Sequence, residues 1–108
     1  MVSASEKAHT ILLVQPLKRP ESKTFADYES VQEALEGICK MFEEHLKRTH
    51  PEEPTITYDI AELFEFIDSL PDLCCLVMVK GQGVYRPHPK EWIKNQTYEQ
   101  LKSQAKGR

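Results

Sequence analysis

The chain has 108 residues, of which 40% are hydrophobic and 29% are charged, and its formal net charge is −3 at pH 7. A chain of this length and composition folds as one globular domain, since two self-sufficient cores need more residues. No run of residues reaches the roughly 20 apolar positions of a transmembrane helix, which excludes an integral membrane protein. The acidic balance also excludes a general cationic surface for nucleic acid.

Both ends of the sequence are polar. Residues 1–8 lack the apolar segment of a secretory signal, and the three cysteines are an odd number, which is typical of a reducing compartment. We therefore expect an intracellular protein. It should have a flexible N-terminal extension over residues 1–8, a single domain over residues 9–105 and a flexible tail over residues 106–108.

The first predicted elements are two strands. The segment from His9 to Gln15 is rich in β-forming residues and is closed by Pro16. A shorter extended segment, Lys23 to Tyr28, follows a turn-forming stretch. We expect the two segments to pair as a hairpin.

A helix is predicted from Val31 to about Arg48. Ser30 and Glu33 have the spacing of a capping box, and Pro51 prevents the helix from continuing. Its apolar positions recur at spacings of three and four, namely Val31, Ala34, Leu35, Ile38, Met41, Phe42 and Leu46. Three acids precede bases by four residues on the opposite face, as Glu36 and Lys40, Glu43 and Lys47, and Glu44 and Arg48.

The second half of the chain predicts a helix, a hairpin and a last helix. Asp59 is the expected N-cap of a helix that Pro71 ends. The apolar run from Leu73 to Val79 is too short for a typical helix and predicts a strand, and residues 84–88 return as its partner after a glycine-containing turn. A last helix begins around Pro89, at its first helical position, and continues towards Ala105.

The order β-β-α-α-β-β-α predicts an α+β domain: a four-stranded antiparallel sheet covered on one face by three helices. A sheet with one wet face alternates apolar and polar residues, but here both alternating sets are apolar. The two sets are Leu12 and Val14 against Ile11 and Leu13, and Leu73, Cys75, Val77 and Val79 against Cys74, Leu76 and Met78.

Something must therefore cover the second face of the sheet. The simplest cover is the same face of a second copy, and we assign Ile11, Leu13, Leu76 and Met78 to that dimer interface. The alternating set of residues 73–79 that faces the partner is left open by the sequence. A second interpretation is that the N-terminal extension, or the loop before Thr55, folds over this face.

Several segments together resemble the enhancer of rudimentary homologue family. They are residues 9–16, 27–31, 39–41, 43–48, 56–60, 63–64, 66–68 and 92–94, and the similarity extends from about His9 to Ala105. The sequence departs from the family pattern in its leader, in the turn at Gly81 to Gly83, in Pro89 and in a more polar last helix, where Thr97 interrupts the apolar stripe.

The resemblance implies a small nuclear homodimer, with the cytoplasm as a second location, that dimerises through its sheets. It also implies an adaptor that binds short segments of RNA-processing and transcription factors. The expected roles are in mRNA processing or decay, gene expression and cell-cycle progression, with regulation of pyrimidine metabolism as an alternative. We place the partner groove along the first helix, at Glu36, Lys40, Glu43 and Lys47, beside the edge of the sheet.

No catalytic or metal-binding pattern stands out in the sequence. The cysteines and histidines lack the paired spacing of a zinc site, and Cys74 and Cys75 point to opposite faces of a strand. Core cysteines are the preferred interpretation, and Glu65, Asp68 and Asp72 are interpreted as a solvated face. No phosphate-binding loop or nucleophile elbow occurs, so we expect no enzyme, no cofactor and no metal.

Two serine/threonine positions have the acidic spacing that an acidophilic kinase favours, Thr24 with Asp27 and Ser30 with Glu33. The family resemblance points to the same two positions as phosphorylation sites. A phosphate at Ser30 would lie at the positive end of the helix dipole, whereas one at Thr24 would add charge near the expected dimer boundary.

Two functions of different classes follow from the sequence. One is the dimeric adaptor, whose two equivalent sites give avidity for paired partners, and it binds nucleic acid only indirectly. The other is a direct RNA-binding module that stacks bases on a sheet, against which the acidic charge and the lack of paired aromatic residues in the predicted strands argue.

Overall fold

The computed structural model describes residues 8–106, and its elements follow the predicted order. The elements are β1 (Thr10–Gln15), β2 (Thr24–Tyr28), α1 (Val31–Thr49), α2 (Ile60–Ser69), β3 (Asp72–Val79), β4 (Val84–His88) and α3 (Lys90–Lys106). The predicted fold class, a four-stranded antiparallel sheet with three helices, is confirmed. Residues 1–7 of the expected extension and residues 107–108 of the expected tail lie outside the described residues.

The sheet has the strand order β2-β1-β3-β4 and all its pairs are antiparallel. β1 and β3 form its centre, where Leu12 lies opposite Cys75. Each central strand has its hairpin partner on the outside. In the β3–β4 turn, Gly81 and Gly83 have φ angles of 78° and 65°, the positive values that the two glycines predict.

All three helices pack on the same face of the sheet and form a single core with it. The buried hydrophobic residues of this core are Leu12, Val14, Ala34, Leu35, Ile38, Phe42, Leu63, Ile67, Leu70, Leu73, Cys75 and Ile93. The molecule measures only 19 Å along its shortest axis, which leaves room for one layer of helices on one sheet. The other face of the sheet is therefore not covered by these helices.

Side-chain caps fix where the first two helices begin. Asp59 and Glu62 form the full capping box at α2. At α1 the Ser30 hydroxyl accepts from the Glu33 amide at 3.1 Å, but the Glu33 carboxylate accepts from the amide of Glu29 and not from that of Ser30. The capping box predicted at α1 therefore forms its Ser30 hydrogen bond as expected, while the Glu33 hydrogen bond goes to the amide one residue earlier than predicted.

The polar last helix packs against the rest of the domain. Pro89 precedes α3, and its carbonyl accepts from the Ile93 amide at 3.0 Å, so it lies one position before the predicted one. Thr97 is 1% exposed, and its hydroxyl donates to the Ile93 carbonyl at 2.8 Å. A threonine in the apolar stripe is tolerated because its hydroxyl is hydrogen-bonded within its own helix.

Two lysines of α3 hold the C-terminal end of α2. The Lys94 ammonium donates to the Asp68 carboxylate at 2.9 Å, and the Lys90 ammonium donates to the carbonyls of Asp68 and Leu70. Cations stabilise the negative end of a helix. The group Glu65, Asp68 and Asp72 is exposed, as interpreted from the sequence, but Asp68 also serves this contact between helices.

The three acid–base pairs expected along α1 do not form ion pairs. Among the side chains of residues 8–103, the ion pairs within 4.0 Å are His9 with Asp27, Lys94 with Asp68 and Lys94 with Glu91. Exposed side chains gain little from pairing in water, so they stay solvated. Within the same residues, no helix is long and apolar enough to cross a membrane.

The packing of α3 gives a first testable prediction. Ile93→Ala removes a fully buried side chain and should lower the free energy of unfolding by about 2–5 kcal/mol. Thr97→Val keeps the shape of the side chain and removes a hydroxyl bonded only to its own helix, so the change should stay below about 1 kcal/mol. Urea denaturation at one fixed protein concentration measures both. An equal loss in the two variants would contradict this account of Thr97.

Candidate interaction surfaces

The strand register gathers apolar side chains on the face of the sheet that the helices leave free, here called the open face. Paired residues of antiparallel strands point to the same side. Leu13 lies opposite Phe25 and Cys74, while Ile11 lies opposite Leu76. The four residues assigned to the dimer interface from the sequence therefore share one face: Ile11, Leu13, Leu76 and Met78.

Exposure separates the two faces of the central strands. Leu12 and Cys75 are 2% and 0% exposed on the helix side, whereas Ile11 and Leu76 on the open face are only half-buried. Phe25 is 69% exposed, although phenylalanine is among the residues most often buried. A cluster of apolar side chains left at the surface marks an interaction site.

The structure selects between the alternatives for residues 73–79. Leu73 and Cys75 face the helices, so Cys74, Leu76 and Met78 belong to the open face. The loop before α2 does not offer its aromatic residue as a cover, because Tyr58 packs against Phe42 on the helix side, with ring centroids 4.8 Å apart. The other suggested cover, the N-terminal extension, falls on residues outside the described part.

A polar cluster borders the apolar part of the open face. His9 Nδ1 lies 2.6 Å from the Tyr85 hydroxyl, and His9 Nε2 lies 3.1 Å from the Asp27 carboxylate. The cluster joins β2, the start of β1 and β4. Sequence analysis missed it, because His9 and Tyr85 are 76 positions apart and no spacing connects them. Only the strand order brings them together.

The charges on the open face are few and acidic. By the register, its strand positions include Asp27 on β2 and Asp72 at the start of β3, but no lysine or arginine within the four strands. Arg86 of β4 lies opposite Val77, on the helix side. A surface that binds nucleic acid requires lysine or arginine near the phosphates.

A groove runs along the helix side of β2, beside α1. It consists of two adjoining cavities that share Met41 and Glu44, one of about 300 Å³ next to Tyr28 and Gly37 and one of about 420 Å³ next to Thr24 and Leu17. We call these together the edge groove. Tyr28 lies so close over Gly37 that a Cβ added there would be 2.9 Å from Cζ of Tyr28.

The residues predicted for the partner groove are divided between the two sides of α1. Glu36 and Lys40 line the edge groove, and both also line a separate cavity on the side of α1 towards α3, here called the α3-side cavity. Glu43 lines only the α3-side cavity, where its carboxylate accepts a hydrogen bond from the Tyr58 hydroxyl at 3.2 Å. Lys47 is exposed on α1 and lines neither. The edge groove fits the predicted position beside the sheet edge, and Met41, Thr24 and Leu17 were not assigned to it from the sequence.

The three cysteines lie in three different environments, which corrects their interpretation as core residues. Cys75 is in the core, and burial raises the pKa of its thiol to about 12. Cys39 is half-buried on α1, and burial with the nearby Glu43 and Glu36 carboxylates raises its pKa. Cys74 lies half-exposed on the open face. Within residues 8–106, no three His, Cys, Asp or Glu side chains form a group that could hold a metal ion.

The two predicted phosphorylation sites differ in access. Thr24 is exposed at the start of β2. Ser30 is 6% exposed and its hydroxyl oxygen is engaged as the N-cap of α1. A kinase therefore reaches Thr24 without opening the fold, whereas access to Ser30 requires the first turn of α1 to unwind. Phosphorylation itself stays a prediction at both positions.

Thiol chemistry tests the placement of Cys75. With a pKa of about 12, its thiolate fraction at pH 8 is on the order of 10⁻⁴, and the core also blocks access. We expect iodoacetamide at pH 8 to leave Cys75 unmodified in the folded protein and to modify it in urea, as read by peptide mass spectrometry. Alkylation of Cys75 as fast in the folded protein as in urea would place it outside the core.

Comparison with known proteins connects this arrangement to a family. A family model described as enhancer of rudimentary matches residues 6–107. The chain is 57% identical over 98 residues to protein enhancer of rudimentary of Drosophila virilis, covering 91% of this chain and 94% of that protein. It is 54% identical over 99 residues to the enhancer of rudimentary homolog of Echinococcus multilocularis, covering 91% and 97%. The homolog of Dictyostelium discoideum is 50% identical over 98 residues, with 91% and 98% covered. These names describe no enzymatic activity.

Proposed function

The chain belongs to the enhancer of rudimentary family, and from this membership we propose that it is a homodimeric adaptor whose two copies meet through their open faces. Each copy then offers a binding surface for short segments of other proteins. The observation that carries the proposal is the apolar open face, because every described helix packs on the other side of the sheet.

Burial of the open face supplies the free energy for self-association. Moving a half-exposed aliphatic side chain fully out of water gains about 1 kcal/mol or more, and Phe25, at 69% exposure, offers more apolar surface still. A twofold axis lets the same residues serve both subunits. A stable interface buries roughly 800 Å² on each partner.

The polar cluster of His9, Asp27 and Tyr85 is compatible with this interface. Its members already bond to one another across three strands. They need no new partners when a second copy approaches, so the cost of removing water from them is reduced. The cluster would therefore form the polar border of an interface whose centre is apolar.

The adaptor role rests on the family and on the surfaces that self-association leaves free. We propose that the partners are segments of RNA-processing and transcription proteins in the nucleus, with effects on mRNA processing or decay, gene expression and cell-cycle progression. Dimerisation through the open face leaves the edge groove of each copy accessible. Two equivalent grooves raise the effective concentration for a partner that carries two segments.

The proposal includes no catalytic activity. Asp68, one of the carboxylates that the sequence singles out, is exposed and paired with Lys94. The pKa values of the Cys39 and Cys75 thiols are raised, the opposite of what a nucleophilic thiolate requires. Both observations favour a binding protein over an enzyme.

Charge substitutions on the open face test the dimer. Ile11→Arg and Leu13→Arg each place an unpaired charge in the proposed interface, which costs several kcal/mol, so light scattering should give the mass of one copy. Phe25→Arg is a third variant with little folding cost, because this side chain is exposed in the single chain. Iodoacetamide should modify Cys74 faster in these variants than in the parent.

Val84→Arg is the matched control. Val84 is 51% exposed and lies opposite Val79 on the helix side of β4, so its charge stays in water and the dimer mass should persist. Circular dichroism establishes that each variant is folded. If the folded open-face variants keep the mass of the parent, the proposed interface is wrong.

Direct binding of RNA is the second candidate, and one observation favours it. Phe25 and Tyr85 both lie on the open face, where aromatic rings could stack on bases. The lack of lysine and arginine among the open-face positions of the four strands speaks against it. We expect filter binding with single-stranded RNA at low salt to show no saturable binding at protein concentrations below about 10 µM. Binding only above that concentration falls in the range of non-specific binding. Tight binding that Phe25→Arg or Phe25→Ala alters would favour the RNA function.

A further inference from the structure

The two edges of the sheet differ in how they are protected against pairing with another strand. β4 carries Arg86 and Pro87, and proline and charge are devices that block an edge. β2 has the sequence TFADY, with no proline, and its one charged residue, Asp27, is already paired with His9 on the open face. Within residues 8–106, the backbone of β2 forms no hydrogen bond beyond its pairing with β1.

The edge groove lies directly beside this unprotected strand. Thr24 and Tyr28 are on the helix side of β2 and mark its two ends, one in each cavity. Ala26, between them on the same side, is exposed, so α1 does not reach over the outer edge. A strand added beside β2 would have its helix-side residues over the groove.

The spacing of the two cavities matches the side-chain repeat of a strand. Thr24 and Tyr28 are four positions apart, about 13 Å at roughly 3.3 Å per residue. An added strand reaches both cavities with residues i and i+4. The larger cavity is mostly apolar, with Val14, Leu17, Met41, Phe66 and Leu70 in its wall, and the smaller one has Tyr28 and Met41.

The charges of the edge groove are arranged unevenly along β2. At the Tyr28 end, Glu33 and Glu36 outnumber Lys40. At the Thr24 end lie Arg48 and His45, and Glu44 is common to both cavities. A complementary ligand carries a basic residue at the first end and an acidic residue at the second.

We propose that the edge groove binds an extended peptide segment that adds to β2 as a fifth, antiparallel strand. The segment has two apolar residues at i and i+4, a basic residue at i−2 and an acidic residue at i+6, so that all four side chains face the groove. The direction follows from the antiparallel pairing, since the peptide then starts at the Tyr28 end and finishes at the Thr24 end. Main-chain bonds supply affinity and the two cavities supply specificity. This inference rests on the proposed adaptor function and names the ligand class of its site.

The test uses the full chain and a blocked, fluorescein-labelled nonapeptide of sequence KTLTTTLTE, in which the lysine, both leucines and the glutamate lie on one side of the strand. Two control peptides have the same composition: KTLTTLTTE moves the second leucine to the opposite side of the strand, and ETLTTTLTK exchanges the charges. Fluorescence polarisation should give KTLTTTLTE an affinity at least tenfold higher than that of KTLTTLTTE, and higher than that of ETLTTTLTK. Equal affinities for all three peptides would overturn the proposal.

Protein variants locate the binding site. Leu17→Asp, in the larger cavity, should weaken binding of KTLTTTLTE at least tenfold. Val84→Asp is the matched control, because Leu17 and Val84 are 50% and 51% exposed and Val84 lies at the other edge. Amide hydrogen exchange should slow at alternate residues of β2 when the peptide binds. Protection at the cavity of Cys39 and Leu101 instead would overturn the assignment to β2.

Two further arms separate this inference from other outcomes. The edge groove lies within one chain, and Ile11 is on the central strand β1, outside both cavities of the groove. Ile11→Arg should therefore bind KTLTTTLTE within threefold of the parent even when it is monomeric. A parent protein that is dimeric but binds none of the peptides overturns the inference and leaves the dimer standing, whereas a parent that is monomeric but binds KTLTTTLTE overturns the dimer and leaves the inference standing. If deletion of residues 2–7 removes exchange protection from β2 in the absence of peptide, the chain's own leader occupies the edge, and the proposal is wrong.

Discussion

A β-strand directs alternate side chains to opposite faces, and in the two central strands of this sheet both sets are apolar. The chain supplies one layer of helices, which buries Leu12 and Cys75 in the core. Ile11 and Leu76 lie at the boundary with water for the same geometric reason. The stability of the fold is thus connected to what covers the open face. If that cover is a second copy, the measured stability depends on protein concentration.

The surfaces of the molecule are separated by this geometry. The open face and the edge groove lie on opposite sides of the sheet, so that self-association and binding of another protein do not compete for space. β2 belongs to both, because Phe25 points to the open face while Thr24 and Tyr28 border the groove. A modification at Thr24 would add charge at the end of the groove where Arg48 and His45 lie. Such a change acts on partner binding through a residue outside the apolar part of the open face.

Local signals were enough to predict the elements, and the strand pattern was enough to predict the two faces. Asp59 with Glu62 and the two glycines of the β3–β4 turn behave as their spacing indicates. The contacts that the sequence did not predict join distant segments, such as His9 with Tyr85 and Lys94 with Asp68. Their formation depends on strand order and helix packing, which periodicity does not contain. The edge groove was predicted only in its general position, since its lining comes from β1, β2, α1 and α2 together.

The central position of β1 also has a consequence for how the chain reaches this fold. Its inner neighbour is β3, and both α1 and α2 lie between them in sequence, so Gln15 pairs with Asp72 only after a long loop has closed. Non-local pairing of this kind slows folding, because the entropy of closure is lost before the contact is gained. On the ribosome, the first hairpin emerges before any helix or third strand can pack against the two apolar faces of β1. The nascent chain therefore passes through a stage prone to aggregation before β3 is available to pair with β1.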